Sequence, residues 1–163
     1  MDNKLKSFLE KNNIVFIQHK HPAVFTVNES KRIKENIPGQ HTKCLFLKDE
    51  NSIFYLVCMN AYKRLHMKTL RKKFNVKKMH FALPEELEEK LGLTPGSVSI
   101  FGLINNSDNS VNLILDKEVW TAEKVGFHPN INTSTLELSH NDLEKFVNLL
   151  KCKKYILDLN GDE

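Results

Sequence analysis

Cysteine is scarce in this chain of 163 residues: Cys44, Cys58 and Cys152 are its only three, and they lie far apart in sequence. An odd number without a C-x-x-C pair argues against a disulfide framework and against a zinc ribbon. Long apolar runs are also missing, since no stretch approaches the roughly 18 uncharged apolar residues of a membrane span. The amino terminus has no apolar signal segment. These absences predict reduced thiols, a cytoplasmic location and no association with a membrane.

Common cofactor and metal motifs are absent as well. The chain contains neither G-x-x-x-x-G-K-[ST] nor G-x-G-x-x-G, so no nucleotide-binding fingerprint is present. Seven histidines are scattered without an H-E-x-x-H pair. We therefore expect no cofactor and no metal.

The composition that remains is that of a folded domain. Hydrophobic residues make up 40% of the chain, with ten Phe, and charged residues make up 27%. A length of 163 residues is typical of one domain, and we expect a single domain over residues 1–163. The net charge of +4 is too small to decide between an ordinary surface and one that binds a polyanion.

Hydrophobic periodicity and turn residues predict an α/β fold with a mixed central sheet flanked by helices. A capping-box pattern begins a helix at Thr26, and Ser139 caps the last one. Residues 92–103 read as a Gly- and Ser-rich loop that enters a strand. The helices are predicted at 2–12, 26–35, 66–74, 84–91 and 140–151, and the strands at 14–17, 42–48, 53–59, 76–81, 111–115, 125–129, 135–138 and 155–159.

Lys43 opens a strongly apolar strand, which places its ammonium at the edge of the core. A partly buried lysine can anchor a carbonyl or phosphate oxygen. An edge-strand lysine that discourages aggregation gives the same pattern, and position alone favours that alternative.

Two loops contain polar groups that are candidates for a binding or catalytic role. Closely spaced glycines between Gly92 and Gly102 allow backbone amides to converge on an oxygen, as in an oxyanion hole, although an ordinary tight turn is more common. His128 ends a strand, where it can serve in acid–base or hydrogen-bonding work or simply pack against its loop.

A basic segment has eight cations within sixteen residues and no acid among them. Such a local excess favours phosphate contacts with nucleic acid over a merely solvated helix face. The cations are Lys63, Arg64, Lys68, Arg71, Lys72, Lys73, Lys77 and Lys78.

Cys44 is the remaining candidate for a nucleophile. It lies within an apolar run, which raises the pKa of a thiol, and in strict alternation it points away from Lys43. A buried, inert cysteine is therefore the favoured interpretation.

Taken in order, several segments resemble the aminoacyl-tRNA deacylases of the YbaK/ProX superfamily. The resemblance extends over nearly the whole chain, and it is strongest to the free-standing branch of prolyl-tRNA synthetase associated domain proteins. The matching segments are HPAVFT (residues 21–26), HTKCLFL (41–47), GSVSIFGL (96–103), FHP (127–129), NTST (132–135), LS (138–139) and DL (142–143). The pattern F-H-P-x-x-N-T is the most specific of them.

The resemblance implies hydrolysis of the ester between an amino acid and the terminal adenosine of tRNA, without a metal. It implies that Lys43 contacts the substrate end, that amides from Gly96 onward hold the substrate carbonyl, and that His128 lines a small amino-acid pocket. Further substrate contacts are expected at His21, Phe25, Thr26, Cys44, Ser97, Ile100, Phe101, Gly102, Asn132 and Thr133, and tRNA contacts at Lys63, Arg64, Lys68, Arg71, Lys72 and Lys73.

Two positions depart from the family pattern: Ile100 stands where the family has Pro, and Cys44 where this branch often has Asn. The first hypothesis is a trans-editing deacylase that acts on Ala-tRNA(Pro), with prolyl-tRNA synthetase as a further partner. The second is a degenerate editing domain that binds tRNA or a synthetase without catalysis. The third is a cysteine-dependent hydrolase.

Overall fold

A computed structural model describes residues 1–23, 29, 32 and 35–160. The helices are α1 (Asn3–Lys11), α2 (Met67–Phe74), α3 (Pro84–Leu91), a 3-10 helix (Ile100–Asn105), α4 (Lys117–Thr121) and α5 (His140–Leu149). The strands are β1 (Ile17–Lys20), β2 (Gln40–Asp49), β3 (Phe54–Asn60), β4 (Met79–Phe81), β5 (Val111–Asp116), β6 (Lys124–Phe127), β7 (Ser134–Ser139) and β8 (Lys154–Leu157). The helix predicted from Thr26 lies outside the described residues.

The strands described above form one mixed sheet in the order β1-β7-β6-β2-β3-β5-β8, with β4 paired to the end of β2. Pairs β2/β6, β3/β5 and β5/β8 are parallel, and the other pairs are antiparallel. This confirms the predicted mixed α/β architecture. The long strand β2 is central, because it pairs with β6 at its beginning and with β3 and β4 further along.

Each face of the sheet carries its own hydrophobic cluster. On one face, helices α1 and α5 and the 3-10 helix pack on the sheet, and the ring of Phe101 lies 5.9 Å from that of Phe127 and 5.1 Å from that of Phe146. On the other face, Leu70 of α2 packs on a smaller cluster that includes Met59. Strand β3 is buried on both faces, which explains its continuous apolar sequence.

Most predicted elements are confirmed, and the helix caps agree with their sequence signals. Ser139 Oγ accepts a hydrogen bond from Asp142 N at 3.2 Å, and Pro84 begins α3 as expected. Gly92 ends α3 with φ +65°, a conformation that favours glycine. No helix in residues 1–23 and 35–160 has the length and apolar character needed to cross a bilayer.

Two local predictions are wrong, and one short helix was not predicted. The strand predicted at residues 14–17 begins only at Ile17, because Val15 N donates to the Asp142 carboxylate (2.9 Å) and not to a strand. The strand expected after the glycine-rich loop is a 3-10 helix, because Ser99 Oγ accepts from Phe101 N (3.2 Å) and starts a helical turn. Helix α4, a single short turn after Asp116, was not predicted.

Candidate active site

Lys43 lies on β2, directly across from Met59 on β3. Its side chain is half-buried, and burial lowers its pKa from the ordinary lysine value. It makes no ion pair with any residue that the structure describes. A cation kept partly out of water without a carboxylate partner is suited to receive an oxygen ligand.

His128 follows the end of β6, and its ring is oriented by the neighbouring strand. Its Nδ1 lies 3.1 Å from the carbonyl oxygen of Ser134. Since a carbonyl only accepts, Nδ1 carries the proton in this hydrogen bond. The His128 carbonyl in turn accepts from Ser99 Oγ, so both the ring and the backbone of His128 are held in place.

Strand register places Lys43 and His128 on the same face. Strands β2 and β6 are parallel with His41 opposite Gly126, and Thr42 Oγ1 donates to the Gly126 carbonyl at 2.6 Å. Lys43 and His128 each lie two residues beyond that pair, so side-chain alternation directs both to the side of His41.

His21 completes a polar cluster at this end of the sheet. Its backbone N donates to Thr133 O (2.9 Å), its Nδ1 to Pro22 O (2.8 Å), and its Nε2 lies 2.9 Å from Thr135 Oγ1. Its ring centroid is 6.3 Å from that of His128. The structure therefore brings His21, His128 and Lys43 to one face, together with Thr135, for which no role was predicted from the sequence.

The glycine-rich loop presents its backbone near His128. Ser97 N donates to Thr94 O (3.1 Å), and Gly96 has φ +88°, which together describe a type II turn with Pro95 and Gly96 at its centre. A Cβ at Gly96 would meet nothing within 4 Å. Within the described chain, the amides of Gly96 and Val98 have no acceptor, while Ser97 N is used by the turn.

This loop is anchored by the buried start of the 3-10 helix, which consists of Ile100, Phe101 and Gly102. Ile100 and Phe101 are fully buried in the core. A Cβ at Gly102 would lie 2.6 Å from Leu93 Cδ1, so this position has no room for a side chain. The expected contact between substrate and these side chains is therefore not supported, because they point into the core.

The loop between β6 and β7 holds Asn132 and Thr133, two of the residues expected to contact the substrate. Asn132 is half-buried, and the Thr133 carbonyl receives the hydrogen bond from His21. The loop turns at Asn130, which has φ +63° and a buried amide without a partner among the described residues. Phe25 and Thr26, also expected near the substrate, lie outside the described residues.

Cys44 faces the opposite side of the sheet. Its Sγ lies 3.0 Å from Sγ of Cys58, its cross-strand partner, and it packs against the larger core cluster. Burial raises the pKa of the Cys58 thiol well above its usual value. The structure therefore places Cys44 away from the polar cluster to which the resemblance assigned it.

The basic segment forms a surface on and around α2. Arg64, Lys68, Lys72 and Lys73 are exposed, and Arg71 is half-buried. Lys63 differs from them, because its Nζ pairs with Glu118 and also donates to Asn160 Oδ1 (2.6 Å). The pairing with Glu118 raises the pKa of Lys63. Lys63 is therefore a structural contact, and the remaining cations are the ones available to phosphate.

Comparisons with known proteins identify the family of this chain. The family model of the aminoacyl-tRNA editing domain matches residues 21–146. The prolyl-tRNA editing protein ProX of Acetoanaerobium sticklandii is 36% identical over 128 residues, 78% of each chain. The prolyl-tRNA synthetase associated domain-containing protein 1 of Danio rerio is 31% identical over 146 residues, 88% of this chain and 79% of that one.

Solved structures share the fold. The crystal structure of a candidate trans-editing enzyme for prolyl tRNA synthetase superposes with a TM-score of 0.74 at 17% identity, covering 99% of both chains. At that identity the likeness speaks for the fold, whereas the sequence matches speak for the family. The chain belongs to the aminoacyl-tRNA editing domain family, which confirms the resemblance seen in its sequence and the enzyme class, an aminoacyl-tRNA deacylase.

Proposed function

We propose that this chain is a trans-editing enzyme that hydrolyses the ester of Ala-tRNA(Pro), with Lys43 as its essential side chain. The observation that carries the proposal is the position of Lys43. It is a half-buried cation without an ion-pair partner in the described chain, on the face that also holds His21 and His128. One relative named for prolyl-tRNA editing and another named for a prolyl-tRNA synthetase associated domain support tRNA(Pro) as the carrier.

The proposed reaction is attack of water on the ester carbonyl. The amides of Gly96 and Val98 stabilise the developing oxyanion, because they project from a turn without an acceptor of their own. Lys43 contacts the carbonyl oxygen or the neighbouring phosphate. The described part of the site offers no obvious strong base, so a ribose hydroxyl of the tRNA assists the water.

Substrate selection in this proposal is steric. His21 and Thr135 are joined by a hydrogen bond, and the ring of His128 is fixed by Ser134, so these side chains form a rigid wall. A rigid pocket rejects larger side chains more sharply than it favours a given small one. Alanine fits this scheme, and proline is the residue that such a pocket must exclude.

The cations of α2 bind the tRNA backbone in the same proposal. Helix α2 packs over the cluster that contains Met59, the cross-strand partner of Lys43, so the basic surface covers the same face of the sheet as the catalytic lysine. We also propose that prolyl-tRNA synthetase is a partner of this chain and that the chain is located in the cytoplasm.

Hydrolysis of Ala-tRNA(Pro), Pro-tRNA(Pro) and Cys-tRNA(Pro) by wild type, Lys43→Ala and Lys6→Ala tests this function. Lys6 is an exposed residue of α1 and serves as the matched control. We expect rapid loss of alanine alone, abolished by Lys43→Ala and unchanged by Lys6→Ala. Near-normal turnover by folded Lys43→Ala contradicts the mechanism. Tight tRNA binding without turnover on all three substrates favours the non-catalytic binding module.

A further inference from the structure

An open cleft of about 530 Å³ lies at the beginning of β2 and β6, beside the polar cluster and not within it. Its volume falls in the range of small-molecule sites. It is lined by Gly39, Gln40, His41, Tyr62, Ala122, Glu123 and Lys124. Of these residues, only His41 lies in a segment that matches the family pattern.

Tyr62 supplies an aromatic wall for the cleft. Its side chain is 45% exposed, and its ring meets that of His41 edge to face, with centroids 6.2 Å apart. The loop that carries Tyr62 is braced, since Tyr62 N donates to Asn60 Oδ1 (2.8 Å) and Asn60 Nδ2 donates to Glu118 (2.7 Å). An exposed aromatic ring on a braced loop is a ready stacking platform for a planar ligand.

The cleft has no excess of positive charge. Lys124 and Glu123 contribute one cation and one anion, and Lys124 Nζ already lies 3.7 Å from the Glu137 carboxylate. A phosphate would therefore meet no net positive charge here, whereas the exposed cations Lys68, Lys72 and Lys73 of α2 have no ion-pair partner among the described residues. A neutral heterocycle with donor and acceptor edges suits the cleft better, because Glu123 accepts from an amino group and the Lys124 ammonium donates to a ring nitrogen.

The distance between the cleft and the proposed reaction centre is about the length of one nucleoside. His41 and Lys43 point to the same face of β2 two residues apart, a separation of about 7 Å along a strand. A ligand that stacks on Tyr62 beside His41 therefore reaches Lys43 with a group the size of a ribose. A terminal nucleoside whose ribose carries an ester has this geometry.

We infer that the cleft between Tyr62, His41 and Lys124 binds the adenine of the substrate's terminal adenosine, with Tyr62 as the stacking residue. The inference rests on the proposed function, because that function supplies the nucleoside. Tyr62 is a positioning residue in this scheme: it holds the base and leaves the chemistry to the face that carries Lys43.

The test is a titration of the ¹⁵N-labelled protein with adenosine 5′-monophosphate, followed by amide chemical shifts, for wild type, Tyr62→Ala and Tyr62→Phe. Phe81→Ala is the matched control, since Phe81 is 60% exposed on β4 and does not line the cleft. Inorganic phosphate is titrated separately.

We expect AMP to shift the amides of Gly39, Gln40, Tyr62 and Lys124 in wild type, Tyr62→Phe and Phe81→Ala. Tyr62→Ala should bind about tenfold more weakly, the effect of losing one stacked base. Shifts confined to α2, equal shifts with inorganic phosphate, or unchanged binding by Tyr62→Ala would each overturn the inference.

Kinetics on Ala-tRNA(Pro) then separate this inference from the proposed function. If the base is held by Tyr62, Tyr62→Ala raises KM about tenfold and Tyr62→Phe restores it, while the AMP titration gives the same answer without any turnover. Deacylation without AMP binding in the cleft contradicts the inference alone. AMP binding in the cleft without deacylation contradicts the proposed function and leaves the nucleoside site standing.

Discussion

Ser99 connects the glycine-rich loop to His128: its Oγ donates to the His128 carbonyl and accepts from Phe101 N at 3.2 Å. One hydroxyl thus begins the 3-10 helix and fixes the backbone of a residue in the proposed pocket. The loop has no proline at position 100, but the buried side chain of Ile100 and this hydroxyl anchor it instead. The departure from the family pattern at Ile100 therefore does not leave the loop without support.

Ser99→Ala tests this connection. The substitution removes a helix cap and one donor to the partly buried His128 carbonyl, so we expect the protein to lose about 1–3 kcal/mol of stability. Deacylation should lose kcat more than it raises KM, because the loop amides and His128 lose their common anchor. Urea denaturation and steady-state kinetics measure the two effects, and Ser99→Thr, which keeps the hydroxyl, should recover part of both. An unchanged kcat in a folded Ser99→Ala protein speaks against a positioning role.

The pH dependence of deacylation should report Lys43. Burial lowers the pKa of this lysine, so the cation is lost at a lower pH than an ordinary lysine would lose it. If the cationic form is required, kcat/KM falls as pH rises through this lowered pKa, after subtraction of the uncatalysed hydrolysis of the ester. In Lys43→Arg, whatever activity remains should show no such fall, because a guanidinium keeps its charge. A flat alkaline profile in wild type argues against a required ammonium.

Cys44→Ser separates the lysine-dependent mechanism from a cysteine nucleophile. Cys44 Sγ points to Cys58 on the face opposite Lys43, so the variant should keep deacylase activity within about twofold. Complete loss of turnover in a protein with an unchanged melting temperature revives the cysteine-dependent hydrolase.

Lys72→Ala combined with Lys73→Ala tests the basic surface. Each lost phosphate contact removes close to one unit from the slope of log binding constant against log salt, so the double variant should bind tRNA more weakly and with a slope about two units shallower. Lys63→Ala is the informative comparison, because Lys63 is paired with Glu118. We expect it to affect stability slightly and the salt slope little. Filter binding of tRNA at several salt concentrations measures the salt slope for the double variant and for Lys63→Ala.

Tyr55→Phe tests a buried polar contact that stabilises the β2–β3 hairpin. Tyr55 donates to Asp49 Oδ2 (2.7 Å), while Oδ1 accepts from Asn51 N and Ile53 N. Removing the hydroxyl leaves a buried carboxylate oxygen without its donor, which should cost about 1–3 kcal/mol. Thermal unfolding should show a lower melting temperature, and deacylation at low temperature should be unaffected. Phe74→Leu, which alters packing on the same ring, is the apolar comparison.

Much of the fold was readable from local signals. The capping residue Ser139, the proline that begins α3 and the continuous apolar run of β3 each act within a few residues, so their consequences follow from sequence spacing. Residues 14–17 were misread because Val15 N donates to Asp142, a partner far along the chain. Residues 100–105 were misread although their cap, Ser99, is local, and the turn that it starts packs on Phe127 and Phe146.

The candidate site divides in the same way. A family pattern in the sequence predicted Lys43, Gly96 and His128 as site residues. The local excess of charge predicted the basic segment. Only the tertiary structure decided which side chains from different strands share a face, because the register of β2 with β6 directs Lys43 and His128 to the same side. The ion pair between Lys63 and Glu118, which the sequence did not predict, makes Lys63 unavailable to phosphate. The Tyr62 cleft likewise forms between segments that are far apart in the sequence. Periodicity records what a residue does within its own element, whereas a site depends on contacts between elements that only folding brings together.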